Sequence, residues 1–266
     1  MRCWFGSLLL VLLLPVAQAA PRVVTLAPSL TEMMLELDAG AQLVGLLDGG
    51  PRPAQLAALP SVGRHDQLSL ETLADLQPDL LLAWSDSLTA DQRRQLQQLG
   101  IPLYEVAPRS LDELGQAFVE LGALIGRAEQ GRRLGEAFTR RVQALRREYR
   151  RDPPLRVFYQ VWPAPLYTIG GRQIISDALQ VCGAQNVFAG LALPAPQVSI
   201  EAVLQADPQV ILLGDGQQAG VWQRWSQLAA VQRNQVWAIA DSGLERPSYQ
   251  MLAAVETLCR QLQPAR

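Results

Sequence analysis

Residues 69–84, Ser-Leu-Glu-Thr-Leu-Ala-Asp-Leu-Gln-Pro-Asp-Leu-Leu-Leu-Ala-Trp, recur in altered form as residues 199–214, Ser-Ile-Glu-Ala-Val-Leu-Gln-Ala-Asp-Pro-Gln-Val-Ile-Leu-Leu-Gly. A serine, a glutamate and a proline recur at one common offset along the chain. Each copy is typical of an N-capping serine, a short helix, a proline turn and a buried strand. The repeat predicts two related α/β lobes with a ligand cleft between them, at the carboxyl ends of the strands.

Short apolar runs alternate with helical patterns on both sides of the repeat, which predicts parallel βαβ units. A helix is predicted to begin at Ser29, as an N-cap supported by Glu32. Further helices are predicted over 91–99, 111–125, 174–182 and 247–262. Strands are predicted over 22–26, 43–46, 79–84, 101–104, 156–161, 210–213 and 236–239.

One long helix is predicted between the two α/β blocks, over residues 128–150, with a length of about 35 Å. We expect it to be a rigid strut that joins the lobes, with its arginines on a solvated face. The predicted division is a signal peptide over 1–19, an N-terminal lobe over 20–125, the bridging helix over 126–152 and a C-terminal lobe over 153–266. The arginines of the helix are Arg132, Arg133, Arg140, Arg141, Arg146, Arg147 and Arg150.

The first 19 residues are typical of a secretory signal peptide. Arg2 is followed by an apolar run over 8–14 and by Ala17-Gln18-Ala19, a small-residue cleavage site. A membrane anchor is the alternative, but the run is shorter than the roughly 20 residues that cross a bilayer. We therefore expect an exported, periplasmic protein.

The composition excludes several classes of function. All 23 basic residues are arginine, the net charge is −2, and His65 is the single histidine. A phosphate-loop lysine and a Schiff-base lysine are therefore impossible, and a His/Cys zinc site lacks ligands. No basic field exists that would attract nucleic acid. Among enzymes, a hydrolase using a pair of carboxylates stays open, and we expect neither catalytic nor metal-binding residues.

Two cysteines, Cys182 and Cys259, follow the predicted signal peptide. In an exported protein such a pair favours one disulfide, and two free buried thiols are the alternative.

Glu71 and Glu201 occupy equivalent places in the two copies of the repeat, in the first turn of each predicted helix. There they would stabilise the helix dipole. Alternatively, they are two acidic knobs, one on each lobe, that dock into basic sockets on a partner. The sequence leaves both interpretations open.

The mature chain resembles the periplasmic binding proteins of cobalamin importers, within a larger group that also binds iron-siderophores and haem. The cysteine-containing segments and the Pro-Gln-Val-Ser segment are similar to the cobalamin branch, and the Pro-Asp-Leu segment to the larger group. The matching segments are Leu26-Ala27-Pro28, Gln77-Pro78-Asp79-Leu80, Val181-Cys182-Gly183, Asn186-Val187-Phe188, Pro196-Gln197-Val198-Ser199 and Leu258-Cys259.

This resemblance implies a binding protein rather than an enzyme, with two α/β lobes, one bridging helix and a disulfide between the two cysteines. It implies that Glu71 and Glu201 contact arginines on the permease of an ABC importer. The transported ligand would be cobalamin or another corrinoid, and no cofactor is implied. We expect a monomer. An iron-siderophore or haem carrier is the alternative within the group.

The resemblance also implies a set of pocket residues. Trp84 and Tyr167 match aromatic positions, and Asp241 and Arg246 match polar ones. Three further positions hold other residues where the family has aromatic side chains, and Trp162 is near enough to compensate. They are Gly49, His65 and Ala195.

His65 supports two interpretations. It can approach or coordinate the metal of a bound ligand, because neutral imidazole is a good ligand for cobalt or haem iron. Alternatively, it is a loop histidine that forms local hydrogen bonds.

Overall fold

The computed structural model describes residues 20–49, 52–65, 67–214 and 219–265. The predicted signal peptide, residues 1–19, lies outside the described residues. Among the helices that are described, none is long and apolar enough to cross a bilayer. The residue boundaries of the two lobes stay predictions.

Two separate sheets confirm the predicted two-lobed α/β fold. The first sheet has six strands in the order β4-β3-β2-β1-β5-β6, all parallel except for the antiparallel pair β3–β4. Its strands are β1 (Val23–Thr25), β2 (Leu43–Asp48), β3 (Ser61–Arg64), β4 (Gln67–Leu68), β5 (Leu80–Trp84) and β6 (Leu103–Val106). The helices around it are α1 (Pro28–Glu36), α2 (Leu70–Leu76) and α3 (Ala90–Gln98).

The second sheet has five strands in the order β11-β10-β7-β8, with β9 also paired to β7. Only the β7–β8 pair is antiparallel. Its strands are β7 (Leu155–Pro163), β8 (Leu166–Thr168), β9 (Ala184–Asn186), β10 (Val210–Leu213) and β11 (Val236–Ala238). The remaining helices are α4 (Leu111–Leu124), α5 (Ala128–Glu148), α6 (Ile174–Val181), α7 (Ile200–Ala206), α8 (Ala219–Gln223), α9 (Ala229–Gln232) and α10 (Met251–Leu262).

The repeat folds as its sequence predicts, as α2–β5 in one lobe and α7–β10 in the other. Ser69 Oγ accepts a hydrogen bond from the Thr72 amide, and Ser199 Oγ accepts one from the Ala202 amide. Each helix ends at a residue with left-handed backbone, Gln77 or Asp207, directly before the proline. Local capping therefore fixes both copies in the same way.

The two copies are also attached to their sheets in the same way. Arg22 precedes β1 and donates a hydrogen bond to the carbonyl of Leu76 at the end of α2. Arg156 in β7 donates to the carbonyl of Ala206 at the end of α7. Both helices therefore end at the amino edge of their sheet and begin at the carboxyl edge.

The structure corrects two predicted helix starts. Ser29 is not an N-cap: Ala27 occupies that position in α1, and no side chain caps the helix. The last helix begins at Met251, not at residue 247. The short strands β3, β4, β8 and β9 were not predicted, because two to four residues are too few to show a period.

One hydrophobic core continues from the first lobe into the second. Alternate strand residues face it, among them Val23 of β1 and Val157 of β7, and it includes buried residues of α1, α4, α5, α6 and α10. The intervening strand residues, such as Val24 and Phe158, face two smaller outer cores, one in each lobe. Because the inner faces share one core, the lobes cannot separate without exposing it to water.

Helices α4 and α5 form an antiparallel pair that carries the chain between the lobes. The end of α4 lies against the first lobe, where Gln42 donates to the Ile125 carbonyl at 3.1 Å. The end of α5 lies against the second, where Arg146 pairs with Asp177 of α6 at 3.1 Å. This arrangement agrees with the predicted strut. Six of the seven arginines predicted on a solvated face are exposed, whereas Arg146 is half-buried and forms ion pairs.

The two helices approach each other backbone to backbone at glycines. A Cβ atom built on Gly135 would overlap the carbonyl oxygen of Gly115, and one on Gly131 would overlap that of Phe118. A Cβ on Gly122 would lie 2.8 Å from the Cα of Gly131. No other residue type fits this contact.

A disulfide joins Cys182, the C-cap of α6, to Cys259 in α10, 77 residues further along the chain. It confirms the paired alternative and links two helices of the second lobe.

We expect Gly135→Ala to lower the free energy of unfolding by about 1–3 kcal/mol, because the added methyl group forces the two backbones apart. Urea denaturation followed by circular dichroism measures this change. Gly220→Ala is the matched control: Gly220 lies in helix α8 with no atom near a built Cβ. Equal stability of the Gly135→Ala and wild-type proteins would contradict the close contact.

We expect reduction of the disulfide to lower the free energy of unfolding by about 2–4 kcal/mol, because the unfolded chain regains the freedom that a long closed loop removes. Urea denaturation with and without dithiothreitol measures the difference. The Cys182→Ala/Cys259→Ala protein should not respond to the reductant. A wild-type protein that is equally stable in both conditions would show that the cross-link contributes nothing.

Candidate ligand-binding cleft

A cavity of about 430 Å³, open to solvent, lies between the lobes. Its first wall follows the carboxyl ends of β1, β2, β3 and β5, as expected for a ligand site in an α/β protein. The second wall comes from the start of α6 and the segment before α10. Most of the lining is apolar or uncharged, and it includes Ala27, Pro28, Gly49, His65, Trp84, Gln173, Ile174, Leu244, Glu245 and Pro247.

Trp84 is the largest side chain in this lining and is held in place by hydrogen bonds. Its indole nitrogen donates to Ser29 Oγ at 2.9 Å, and Ser87 Oγ donates to its backbone carbonyl at 2.8 Å. Ser29, predicted as a helix cap, therefore orients the aromatic ring of the cleft. The two residues are 55 positions apart, so no local pattern could show their contact.

Gly49 follows β2 and lies against α1. A Cβ atom at this position would be 2.8 Å from the Cγ atom of Pro28. Just before it, Asp48 accepts hydrogen bonds from Ser61 and Arg52, which lower the pKa of its carboxyl group. The loop is therefore packed closely against α1, and Gly49 contributes only backbone to the cavity wall where the resemblance implies an aromatic side chain.

His65 lies at the tip of the β3–β4 hairpin and is exposed at the cavity wall. The Gln92 side chain donates to its backbone carbonyl at 3.1 Å, and Gln92 is itself part of the capping box of α3 with Thr89. Gly63, with φ at +104°, allows the tight hairpin. The position of this histidine is therefore set by its backbone.

Arg246 connects the two lobes at the side of the cleft. It forms an ion pair with Glu32 of α1, whose second carboxylate oxygen is buried without a hydrogen bond from any described residue. One turn further along α1, Glu36 accepts a hydrogen bond from the Tyr249 amide at 3.0 Å. Burial raises the pKa of Glu36 to about 7, although backbone hydrogen bonds from Tyr249 and Gln250 act to lower it.

Two smaller hollows extend the cleft on either side. One, of about 50 Å³, lies between α1 and the β2 loop and is lined by Thr31, Glu32, Arg52 and Arg246. The other, of about 240 Å³, shares Trp84 and Gln173 with the main cavity and adds Arg109, Arg172 and Pro194. Arg52, Arg109, Arg172 and Gln173 were not predicted, because only their positions next to strand ends and helix starts distinguish them.

Four of the eight predicted pocket residues, Gly49, His65, Trp84 and Arg246, line these spaces. The other four do not. Asp241 caps a short turn by accepting a hydrogen bond from the Gly243 amide at 2.8 Å. Trp162 and Tyr167 form a cross-strand pair between β7 and β8, and Trp162 is 58% exposed at the carboxyl end of its strand. Ala195 is an exposed loop residue.

Glu71 and Glu201 are exposed, and neither lines the cavity. Both belong to the first turn of a repeated helix, at the carboxyl edge of their sheet. A hydrogen bond to its own backbone amide and one to Ser199 lower the pKa of Glu201. They are therefore placed as a pair of exposed acids, one on each lobe.

Similar proteins are known for the whole chain. It is 34% identical to a vitamin B12-binding protein of Vibrio cholerae over 249 residues, and this alignment covers 92% of this chain and 90% of that protein. A vitamin B12-binding protein of Vibrio parahaemolyticus is 30% identical over 241 residues, with coverage of 90% and 88%.

Solved structures agree with this likeness. The crystal structure of the periplasmic vitamin B12 binding protein BtuF of Vibrio cholerae matches with a TM-score of 0.82 at 34% identity, over 92% of this chain and 97% of that one. The periplasmic haem binding protein HutB of Vibrio cholerae, at 20% identity, matches with a TM-score of 0.77 over 92% and 99%, and it shows the fold alone. A family model described as periplasmic binding protein matches residues 23–242, and the chain belongs to that family.

Proposed function

We propose that this protein captures cobalamin or a related corrinoid in the cleft between its lobes and delivers it to an ABC importer from the periplasm. The observation that carries the proposal is Trp84, held by its hydrogen bond to Ser29 in the cleft between the lobes. The chain that contains it is 34% identical, over 92% of its length, to a vitamin B12-binding protein. Cobalamin is then transported cargo, and the protein itself needs no cofactor and carries out no reaction.

The walls of the cleft support a large, flat ligand with a polar rim. The Trp84 indole offers an aromatic face to an apolar macrocycle, and its hydrogen bond to Ser29 reduces the rotational freedom that binding would otherwise remove. Ile174, Leu244 and Pro247 add apolar surface from the opposite lobe. Polar side chains at the margin, such as Gln173, can hydrogen-bond the amides at a corrinoid's edge.

The predicted pocket residues have unequal support. Gly49, His65, Trp84 and Arg246 line the cleft or its side hollow. Trp162 stands at the carboxyl end of β7 with most of its ring in solvent, where a ligand larger than the cavity would reach it. Roles for Tyr167, Ala195 and Asp241 stay proposals from the family resemblance.

Two other functions have less support. A haem or siderophore carrier has the same fold, and His65 in the cleft is compatible with haem. An acid-pair hydrolase requires two carboxylates about 5–9.5 Å apart that face the substrate. Glu71 and Glu201 belong to different lobes and neither lines the cleft, so they give this function no support.

Calorimetric titration of the mature protein tests the ligand, with haemin and a ferric siderophore as comparisons. We expect one cyanocobalamin per protein, and Trp84→Ala to weaken its binding about tenfold or more, because the aromatic face is lost. Trp84→Phe is the matched variant, since it keeps a ring but loses the bond to Ser29, and should fall between the two. If haemin or the siderophore binds and cobalamin does not, the protein is a haem or siderophore carrier and the proposed ligand is wrong.

The paired acids support docking through Glu71 and Glu201. Because α2 and α7 begin at the carboxyl edges of their sheets, both carboxylates lie on the side of the molecule where the cleft is built. Exposed acids without an ion-pair partner among the described residues remain available to basic groups on a permease. Charge complementarity of this kind sets orientation and the rate of encounter.

The double variant Glu71→Gln/Glu201→Gln should keep the wild-type affinity for cobalamin and lose about tenfold or more of the affinity for the permease. Ligand-stimulated ATP hydrolysis by the importer in proteoliposomes measures the loss. Glu129→Gln is the matched control, because Glu129 is also an exposed acid in the first turn of a helix but belongs to α5. Full stimulation by the double variant would refute docking through these residues.

A further inference from the structure

We infer that His65 is a ligand to the cobalt of the bound corrinoid, taking the axial position that water occupies in aquocobalamin. The inference rests on the proposed function and adds a metal–protein bond to it. The bond would give the protein a preference among forms of the ligand that differ only in the axial group on cobalt.

The composition of the cavity wall singles out this side chain. Transition metals such as cobalt favour imidazole nitrogen over carboxylate or hydroxyl oxygen. Among the described residues that line the main cavity there is no methionine, cysteine or tyrosine, and His65 is the only one of them whose side chain offers a nitrogen lone pair. The indole of Trp84 only donates, and its nitrogen is already bonded to Ser29.

The carboxylates in the same wall are less suitable. Asp48 accepts hydrogen bonds from Ser61, at 2.5 Å, and from Arg52. Glu245 accepts one from the Tyr159 hydroxyl at 3.3 Å. No described side chain forms a hydrogen bond with the imidazole of His65, whose contacts are made by its backbone. The imidazole is therefore free to bind a ligand.

The hairpin holds His65 at a defined place while leaving its side chain free. Gly63 closes the turn, since a Cβ there would overlap the carbonyl oxygen of Gln67. Gln92 fixes the His65 carbonyl from α3. Anchoring the backbone in this way lowers the entropy lost when the imidazole binds.

The metal must bring most of its ligands with it. In the described part of the chain, no three His, Cys, Asp or Glu side chains are grouped so that they could hold a metal ion. A corrin supplies four nitrogens in a plane and leaves the axial positions for other groups. A single histidine is sufficient for such a metal and insufficient for a bare ion.

The binding step is a ligand exchange without oxidation or reduction. In aquocobalamin, a water molecule occupies one axial position of Co(III). The lone pair of neutral imidazole forms the cobalt–nitrogen bond, the cobalt–oxygen bond breaks, and the water leaves unchanged. In cyanocobalamin the same position holds cyanide, which imidazole does not displace. This form can therefore bind only through its contacts with the cleft, without a bond from His65 to cobalt.

Parallel calorimetric titrations with aquocobalamin and cyanocobalamin test the inference, together with the visible absorption spectrum of the bound aquo form. We expect a shifted spectrum for the wild type, lost in His65→Ala and in His65→Phe. Both variants should bind aquocobalamin about tenfold or more weakly and cyanocobalamin with less than about threefold change. Gln67→Ala, in the same hairpin and outside the cavity wall, should behave as the wild type.

Each other outcome overturns the inference in a recognisable way. If the spectrum of the bound aquo form is unshifted in the wild type, His65 does not coordinate cobalt. If both forms nevertheless bind, the proposed function still holds. Equal weakening of both forms in His65→Ala, restored by the ring of His65→Phe, would assign packing in place of coordination. A folded wild-type protein that binds neither form contradicts the proposed function and the inference with it.

Discussion

The backbone contact between helices α4 and α5 is the constraint on which the two-lobed arrangement depends. Gly115 and Gly122 face Gly131 and Gly135 so closely that no side chain fits between them. The pair passes between the lobes, and its buried phenylalanines, Phe118 and Phe138, join the common core and contact Tyr249, which lies just before α10. The lobes are thus fixed by packing, which is close to incompressible. A cleft built on such a frame is formed before the ligand arrives, so its affinity depends on what lines it more than on closure.

The same frame determines the electrostatics beside the cleft. Two carboxylates of α1, one turn apart, face the segment that precedes α10 in the other lobe. Burying such groups costs free energy unless they are paired or hydrogen-bonded. Glu32 is paired with Arg246, and Glu36 receives backbone amides, yet burial still raises the pKa of Glu36 to about 7. Arg246 consequently serves the lobe contact and lines a hollow of the cleft, and its guanidinium is not wholly available to a ligand.

Features that depend on contacts within a few residues could be predicted from the sequence. Most of those that were missed depend on contacts between residues far apart in the chain. Ser69 and Ser199 cap helices through contacts three residues away, so their patterns were sufficient. Gly126, with φ at +73°, follows the C-cap residue of α4, and this left-handed backbone, which glycine favours, is also a local signal. Ser29 has an equally good capping pattern, yet its hydroxyl binds Trp84 and Ala27 takes the cap. The glycine contact between α4 and α5, and the pair of Glu32 with Arg246 across 214 residues, depend on how the elements meet. Three of the four predicted residues that line the cleft, Gly49, His65 and Trp84, do so because they stand at strand ends. The predicted residues that do not line it rested on resemblance, which does not fix the path of a loop.

The repeat explains why capture and delivery would use one side of the molecule. In each copy the helix runs antiparallel to the strand that follows it, with its end held at the amino edge by Arg22 or Arg156. The helix must then begin at the carboxyl edge, and its first-turn glutamate is exposed there. Parallel strands place their ligand site at that edge too. A permease that engages Glu71 and Glu201 together would span both lobes and cover the mouth of the cleft. One helix–strand geometry, used twice, thus puts the proposed docking acids around the proposed ligand, and release would take place inside the contact with the importer.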